Sequence, residues 1–518
     1  KYITDNFVLN MNILSSATVF SFYTMLSRVL GYFRDILIAF FLGSSIYADA
    51  FFVAFRLPNT FRRLFAEGTF NAAFIPSYTS QKVRGKFVAK KFADEVLSLL
   101  TLALLIVILV VEIFTPFVVY IIAPGFVGDN LKFDIAVEFT RITFPFLAFV
   151  SLSSFFAGIL NSENKFAAAA AAPILLNIIM ILSLVISYFL KLDYALNLSY
   201  AVSLAGLIQL IFLIFISLKY YKPSIIIKNK IGKKVKFFLK KLLPSIFSSG
   251  VTQINILIGT IIASFQAGAV SYLYYADRIY QINLAVAGIA VSTVSLPMLS
   301  RLIKSKKINK MNKLQNRSLE LSLLLSLPAA AALVIGSDEI VNALFGYGSF
   351  SENDIKMTSM ALKYFGFGIP AFAILKIFAN FFFARDNTLT PFRVSIIIVI
   401  INLIISVMFF REVGFIIIPI ATTFSSWVGV GYYLCILFNK NYFKIESIVY
   451  RNLFKITLST SIMSYIFYQS INYFSENLAY TSNYKILYLL FIVIFIAIMY
   501  FLIFYLFKVL NIKKFKAD

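Results

Sequence analysis

The sequence predicts an all-α polytopic membrane protein of about fourteen transmembrane helices, arranged as two pseudo-symmetric six-helix lobes with a C-terminal helix pair. Three observations predict it. Of 518 residues, 60% are hydrophobic and only 14% charged, with mean hydropathy +0.87, against about 25% charged residues in a soluble globular domain. Apolar runs of bilayer length, about 20 residues, recur along the chain. The cations between those runs alternate from break to break. A disordered, collagenous or ordinary soluble protein is excluded.

The apolar runs fall near 11–42, 46–80, 92–122, 135–160, 167–190 and 195–218, an N-lobe over 1–218. A basic cytoplasmic linker follows at 219–241, with nine lysines from Lys219 to Lys241. The runs 242–265, 271–300, 318–346, 357–384, 391–410 and 413–438 make a C-lobe over 242–438. Residues 439–518 hold a last pair, 452–473 and 485–507, and a cytoplasmic tail. The first two runs exceed one bilayer crossing and carry charges, which predicts tilt, bending or extension beyond the hydrocarbon. No short apolar stretch near the start ends in a small-residue cleavage site, so the amino terminus is expected to remain as part of the first helix.

Loop charge tests the count. The breaks after even-numbered runs hold Lys82 to Lys91, the linker, Arg301 to Arg317, Lys440 to Lys455 and Lys508 to Lys516. The breaks after odd-numbered runs are nearly free of cations: 43–47 and 266–270 have none. Lys/Arg-rich loops stay cytoplasmic, so the alternation predicts fourteen spans with both termini inside. It also gives the net charge of +24 a membrane explanation and makes nucleic acid an unexpected partner.

A weak internal repeat accompanies the layout. At an offset of 225, Pro145 aligns with Pro370, Ala148 with Ala373, Phe156 with Phe381 and Asn177 with Asn402; at an offset of 228, Ala48–Asp49 has an echo in Ala276–Asp277. Six spans per half make parallel repeats, and transporters of that design place the substrate site between the halves.

The chemistry concentrates in residues 27–76. Arg28, Arg34, Asp35, Asp49, Arg56, Arg62, Arg63 and Glu67 lie within the first two runs, where a charge at the membrane centre costs about 2.5–3.5 kcal/mol on insertion scales. Such a cluster must face a cavity or partners. The chain has 33 Lys and 14 Arg, yet residues 2–81 contain five Arg and no Lys. Arginine grips phosphate or carboxylate with a planar fork, where lysine offers a point charge. On an ideal helix Asp49, Arg56 and Arg63 share a stripe with Glu67 one turn below. Asp277 and Arg278 are the counterparts in the second half, and Lys376 is an intramembrane cation in the tenth run. Six Arg against three Asp and one Glu leave +2, which suits an anionic headgroup such as a pyrophosphate. The alternative is that the charges pair among themselves as inter-helix glue, as Arg63 with Glu67 would.

Several chemistries are absent. The chain has no histidine, so imidazole catalysis is excluded. A single cysteine, Cys435, forbids an intramolecular disulfide and a thiolate metal cage. No phosphate-binding GxxxxGK[ST] loop, GxSxG, HExxH or acid-rich metal cluster occurs. An enzyme and a resident metal or cofactor are not expected.

The stretches SRVLGYFRD, ADAFFVAFRLPNTFRRLFAEGTFNAAFIP, YYADRIYQ and FFFARDNTLTP resemble those of the lipid II flippases of bacterial cell-wall synthesis, the MurJ (MviN) type, within the superfamily of multidrug and polysaccharide-lipid exporters. The resemblance extends over the full length. It implies a cationic central cavity, a hydrophobic groove beside the last two helices, and movement of undecaprenyl-pyrophosphate disaccharide pentapeptide to the outer leaflet of the cytoplasmic membrane by alternating access. The family's motif residues fall on Arg28, Arg34, Asp49, Arg62, Arg63 and Arg278, with Asp35, Arg56, Glu67, Asp277 and Lys376 as supporting candidates. Membrane potential or an ion gradient is the expected drive, and a monomer the expected state, with cell-wall synthesis proteins as candidate partners besides lipid II and the membrane lipids.

Two departures accompany the resemblance. Gln281 and Asn283 stand where many members have Glu and Pro, and 242–265 holds Gln253 and Asn255 but no acid, so no sodium site is carried over. Export of another lipid-linked sugar or an amphiphile is the alternative function. An exporter of organic cations would line its cavity with carboxylates rather than arginines. A polyprenyl-phosphate enzyme would need metal-binding acids or a general base, and a cell-wall scaffold would not need the arginine bias.

Overall fold

The computed structural model describes residues 2–66, 69–225 and 232–507, with side chains over the same ranges except 2–17, 63–66, 69, 241, 243–249 and 251–252. Every regular element among them is helical. The chain divides into two compact units, Lys1–Ala267 and Gly268–Asp518.

The first unit contains α1 (Tyr2–Leu42), α2 (Ile46–Ala66), α3 (Thr69–Val83), α4 (Lys86–Ile113), α5 (Thr115–Ile122), α6 (Asn130–Thr143), α7 (Phe146–Ser162), α8 (Phe166–Leu190), α9 (Tyr194–Ser217) and α10 (Lys233–Ala263). Helix α1 packs along α8, α8 along α9, and α2 against α6 and α7. The second expected run falls on α2 and α3, with residues 67–68 between them outside the described residues, and each of the two stretches contains a proline. In α2, Pro58 has no N–H to give the carbonyl of Ala54, one turn back. The buried Thr143 hydroxyl on α6 donates to that carbonyl at 3.2 Å, which satisfies the orphan and ties α2 to α6.

Helix α10 was expected to open the C-lobe, but it packs on α2, α3 and α4 of the first unit. Its rings explain why: Phe238 lies edge-on to Phe70 at 5.8 Å and to Phe92 at 6.1 Å in a buried aromatic cluster. Its far end approaches a glycine, since a Cβ on Gly125 would sit 2.4 Å from the backbone of Ser264 and Phe265. The Gly125 N–H donates to Ser264 Oγ at 3.0 Å. The expected linker is partly helix, because α10 begins at Lys233. Two carboxylates on α4 hold its ends. Asp94 accepts from the Tyr221 hydroxyl at 2.6 Å and the Ser224 N–H at 3.1 Å, and Glu95 accepts from the Gly232 N–H at 3.0 Å. Burial and the Asp94 carboxylate push the Tyr221 phenol up, so it stays a donor.

The second unit contains α11 (Ala269–Leu284), a π-turn at Ala285–Ala290, α12 (Val291–Lys304), α13 (Ile308–Ile335), α14 (Ser337–Phe345), α15 (Glu352–Phe383), α16 (Leu389–Val413), α17 (Ile417–Asn439), α18 (Ser447–Tyr473) and α19 (Lys485–Leu506). Helix α15 is central, packed on α11, α13 and α17. A Cβ on Gly288, inside the π-turn, would lie 3.1 Å from Ala373 Cα on α15. The amide of Asn380 donates to the Ser292 carbonyl just beyond that turn at 2.6 Å.

The described residues of the fourteen expected runs lie mostly in helix. Among the described residues, nine helical stretches are long and apolar enough to cross a membrane by length and composition, and one of them, Leu389–Asn439, runs through two expected spans. Leu102, Leu105 and Leu109 on α4 and Phe491, Ile494 and Ile498 on α19 are exposed, an apolar outer surface suited to lipid rather than water.

Candidate functional site

The charges of α1 and α2 differ in how they are held. Arg34 is held. It is buried, its Nε and NH2 donate to Asp35 Oδ1 at 3.0 and 2.6 Å, and its NH1 donates to Asn177 Oδ1 on α8 at 3.0 Å. Asn177 in turn donates from Nδ2 to the Ser27 carbonyl at 2.9 Å. The group locks α1 to α8 and leaves Asp35 compensated.

Arg28 is different. It lies nearly two turns before Arg34 on α1, is exposed, and makes no hydrogen bond or ion pair among the described residues. On α2, Arg56 and Arg62 are half-buried, and Arg62 Nε donates to Asn59 Oδ1 at 3.0 Å. Arg63 is placed on α2 by its backbone, its side chain being outside the described residues, and Glu67 lies outside them altogether.

Asp49 shares the α2 stripe with Arg56, but its carboxylate turns to α6. Asp49 Oδ2 lies 2.6 Å from Lys132 Nζ, both side chains are buried, and the ammonium also sits 4.2 Å over the Phe126 ring. Sequence reasoning missed Lys132. The signal was available, since it is a cation in a break that the loop alternation expects to be nearly cation-free.

In the second unit, Arg278 is half-buried on α11. Its NH2 donates to the Tyr274 hydroxyl at 2.9 Å, and its guanidinium lies 4.6 Å over the same ring. One residue earlier, Asp277 accepts a hydrogen bond from the amide of Gln281. A glutamate there would place two carboxylates one turn apart, so the amide suits its neighbour. Lys376 is exposed on α15, one turn beyond Ala373, and makes no ion pair among the described residues. Among the described residues no cluster of three His, Cys, Asp or Glu could hold a metal.

The candidate cations thus lie in both units, Arg28 and the α2 arginines in the first and Arg278 and Lys376 in the second. A family profile described as lipid II flippase MurJ matches residues 38–489. A probable lipid II flippase MurJ from Rhizobium meliloti (strain 1021) is 41% identical over 411 residues, 78% of this chain and 77% of that protein. Another from Rickettsia prowazekii (strain Madrid E) is 35% identical over 468 residues, 90% and 92% of the two chains. The solved structure of lipid II flippase MurJ in an inward closed conformation matches with TM-score 0.81 at 26% identity, covering 95% of this chain and 98% of that one. An inward-facing multidrug resistance MATE transporter of the MOP superfamily shares the fold at TM-score 0.67 and 14% identity, over 81% and 97% of the chains.

Proposed function

The chain belongs to the lipid II flippase MurJ family, and from that premise we propose how its own residues serve the flipping of lipid II. It is a multi-pass membrane transporter, and lipid II is its substrate. The pyrophosphate of the headgroup is drawn to the arginines of α1 and α2 and to Arg278 of α11, with Lys376 as a further cation. Arg28 carries this reading: it is an exposed guanidinium on a membrane helix with no ion pair among the described residues. An arginine fork in such a place is costly unless water or an anion meets it. Arg34 supports the site from behind, since its donors already serve Asp35 and Asn177.

The chain resides in the bacterial cytoplasmic membrane with both termini inside, a reading supported by the lysine-rich breaks after even-numbered runs. It works by alternating access without a resident cofactor. Return of the empty cationic site toward the cytoplasm is favoured by a negative-inside potential, worth about 2.3 kcal/mol per charge per 100 mV. The test is complementation: a bacterium depleted of its own lipid II flippase expresses this chain, and externally accessible lipid II is measured. Its return supports the reading, and absence of flipping by well-expressed protein in reconstituted vesicles with lipid II contradicts it.

A further inference from the structure

Lys485, the first residue of α19, is 1% exposed and makes no ion pair among the described residues. Its three ammonium hydrogens find three neutral oxygens: Asn342 Oδ1 at 3.0 Å, the Gly346 carbonyl at 2.6 Å and the Tyr480 carbonyl at 2.8 Å. The rings of Tyr347 and Tyr480 close the cage at 4.2 and 4.9 Å. A buried ammonium is tolerated only when its hydrogen bonds are complete, and ring faces add cation–π attraction. This one meets both conditions.

The cage joins three pieces of the second unit. Asn342 lies on α14, Gly346 and Tyr347 follow it, and Tyr480 lies in the α18–α19 connection. The pieces also interlock with each other. Asn342 Nδ2 donates to the Leu478 carbonyl at 2.7 Å, and the Tyr480 hydroxyl donates to the Phe350 carbonyl at 3.1 Å.

Besides the buried apolar face of α19, which includes Leu489, Ile492 and Ile496, two more polar ties hold the helix. Pro328 in α13 leaves the Leu324 carbonyl without its helical donor, and the buried Tyr500 hydroxyl of α19 donates to it at 2.9 Å. At the far end, Lys455 of α18 caps the Phe507 carbonyl at 2.7 Å. Ties at the start, middle and end of α19 thus attach a helix whose outer face is exposed and apolar. The start carries the densest of the three.

We propose that Lys485 is a positioning residue for transport: it clasps the α18–α19 pair to α14, so that the pair travels with the second unit as one body and the clasp stays closed through the whole cycle. Opening it would strand an ammonium, an amide and two carbonyls at once, each costly when left without a partner. The inference rests on the flippase reading above.

The test uses the full chain with Cys435→Ser, which removes the exposed native thiol. Asn342→Cys and Lys485→Cys are added together, and a flexible bifunctional thiol reagent, as long as the side chains it replaces, bridges them. Membrane accumulation of the pair variant is compared with its parent to score folding, and lipid II externalisation is measured before and after bridging. The expected result is a several-fold fall in flipping rate for the unbridged pair and recovery to the parent rate on bridging, a rescue that mere loss of packing would not show. Parent-level transport by the unbridged pair, arrest on bridging, or failure to recover overturns the proposal. Transport by the Cys435→Ser parent checks the flippase reading separately, so the two failures are distinguishable.

Discussion

Asp49 on α2 and Lys132 on α6 form an ion pair of 2.6 Å, with side chains 0% and 6% exposed. Removing one partner of a buried pair leaves an uncompensated charge and costs about 3–5 kcal/mol. Asp49→Leu is therefore expected to lower the thermal stability of the detergent-solubilised protein sharply, and Lys132→Met likewise. The double variant Asp49→Leu with Lys132→Met should regain most of the loss in a double-mutant cycle. If it also regains flipping, Asp49 acts through Lys132 and not on the headgroup.

Arg34 and Arg28 should behave differently although they lie on one helix. Arg34→Ala removes the guanidinium that meets the buried Asp35 carboxylate and the Asn177 amide oxygen, so its melting temperature should fall. Arg28→Ala touches an exposed side chain and should stay within about 0.5 kcal/mol of wild type. Thermal unfolding of the two variants side by side checks the division.

Thr143 serves a carbonyl that is orphaned only because residue 58 is proline. Thr143→Val should cost about 1–3 kcal/mol, the penalty of an unsatisfied buried acceptor. In a Pro58→Ala background the helical N–H returns and the same substitution should cost markedly less. Equal costs in both backgrounds would show that the hydroxyl serves another purpose.

Gly125 and Gly128 lie in one turn with opposite surroundings. A Cβ at Gly125 meets Ser264 and Phe265 backbone at 2.4 Å, and one at Gly128 meets nothing within 4 Å. Gly125→Ala should force the end of α10 away, at about 1–3 kcal/mol, and Gly128→Ala should be close to neutral. Thermal unfolding compared with cysteine labelling at the α10 end reads both effects.

Much of this was legible in the sequence, because a membrane helix announces itself by apolar length and loop charge. The described residues of the expected runs lie mostly in helix, and the arginine bias pointed to α1 and α2. What composition could not show was partnership. Whether Arg34 or Arg28 keeps an open fork depends on Asn177, 143 residues away from Arg34. Lys132 stands out in the sequence only as a cation in a break expected to be nearly cation-free, and its partner Asp49, 83 residues away, shows only once α6 brings the two together. The grouping of α10 with the first unit also escaped hydropathy, which sees the linker's charge but not Phe238 among Phe70 and Phe92 or the close approach at Gly125. Pro58 and Pro328 each remove a helical donor, and the hydroxyls of Thr143 and Tyr500 that answer them come from other helices.

The proposed role of Arg28, to present its guanidinium to the headgroup of lipid II, is tested by externally accessible lipid II in flippase-depleted cells expressing either the wild-type chain or Arg28→Ala at equal membrane level. Lipid II should return with wild type and not with Arg28→Ala, although both proteins melt at the same temperature. Full externalisation by Arg28→Ala would contradict it.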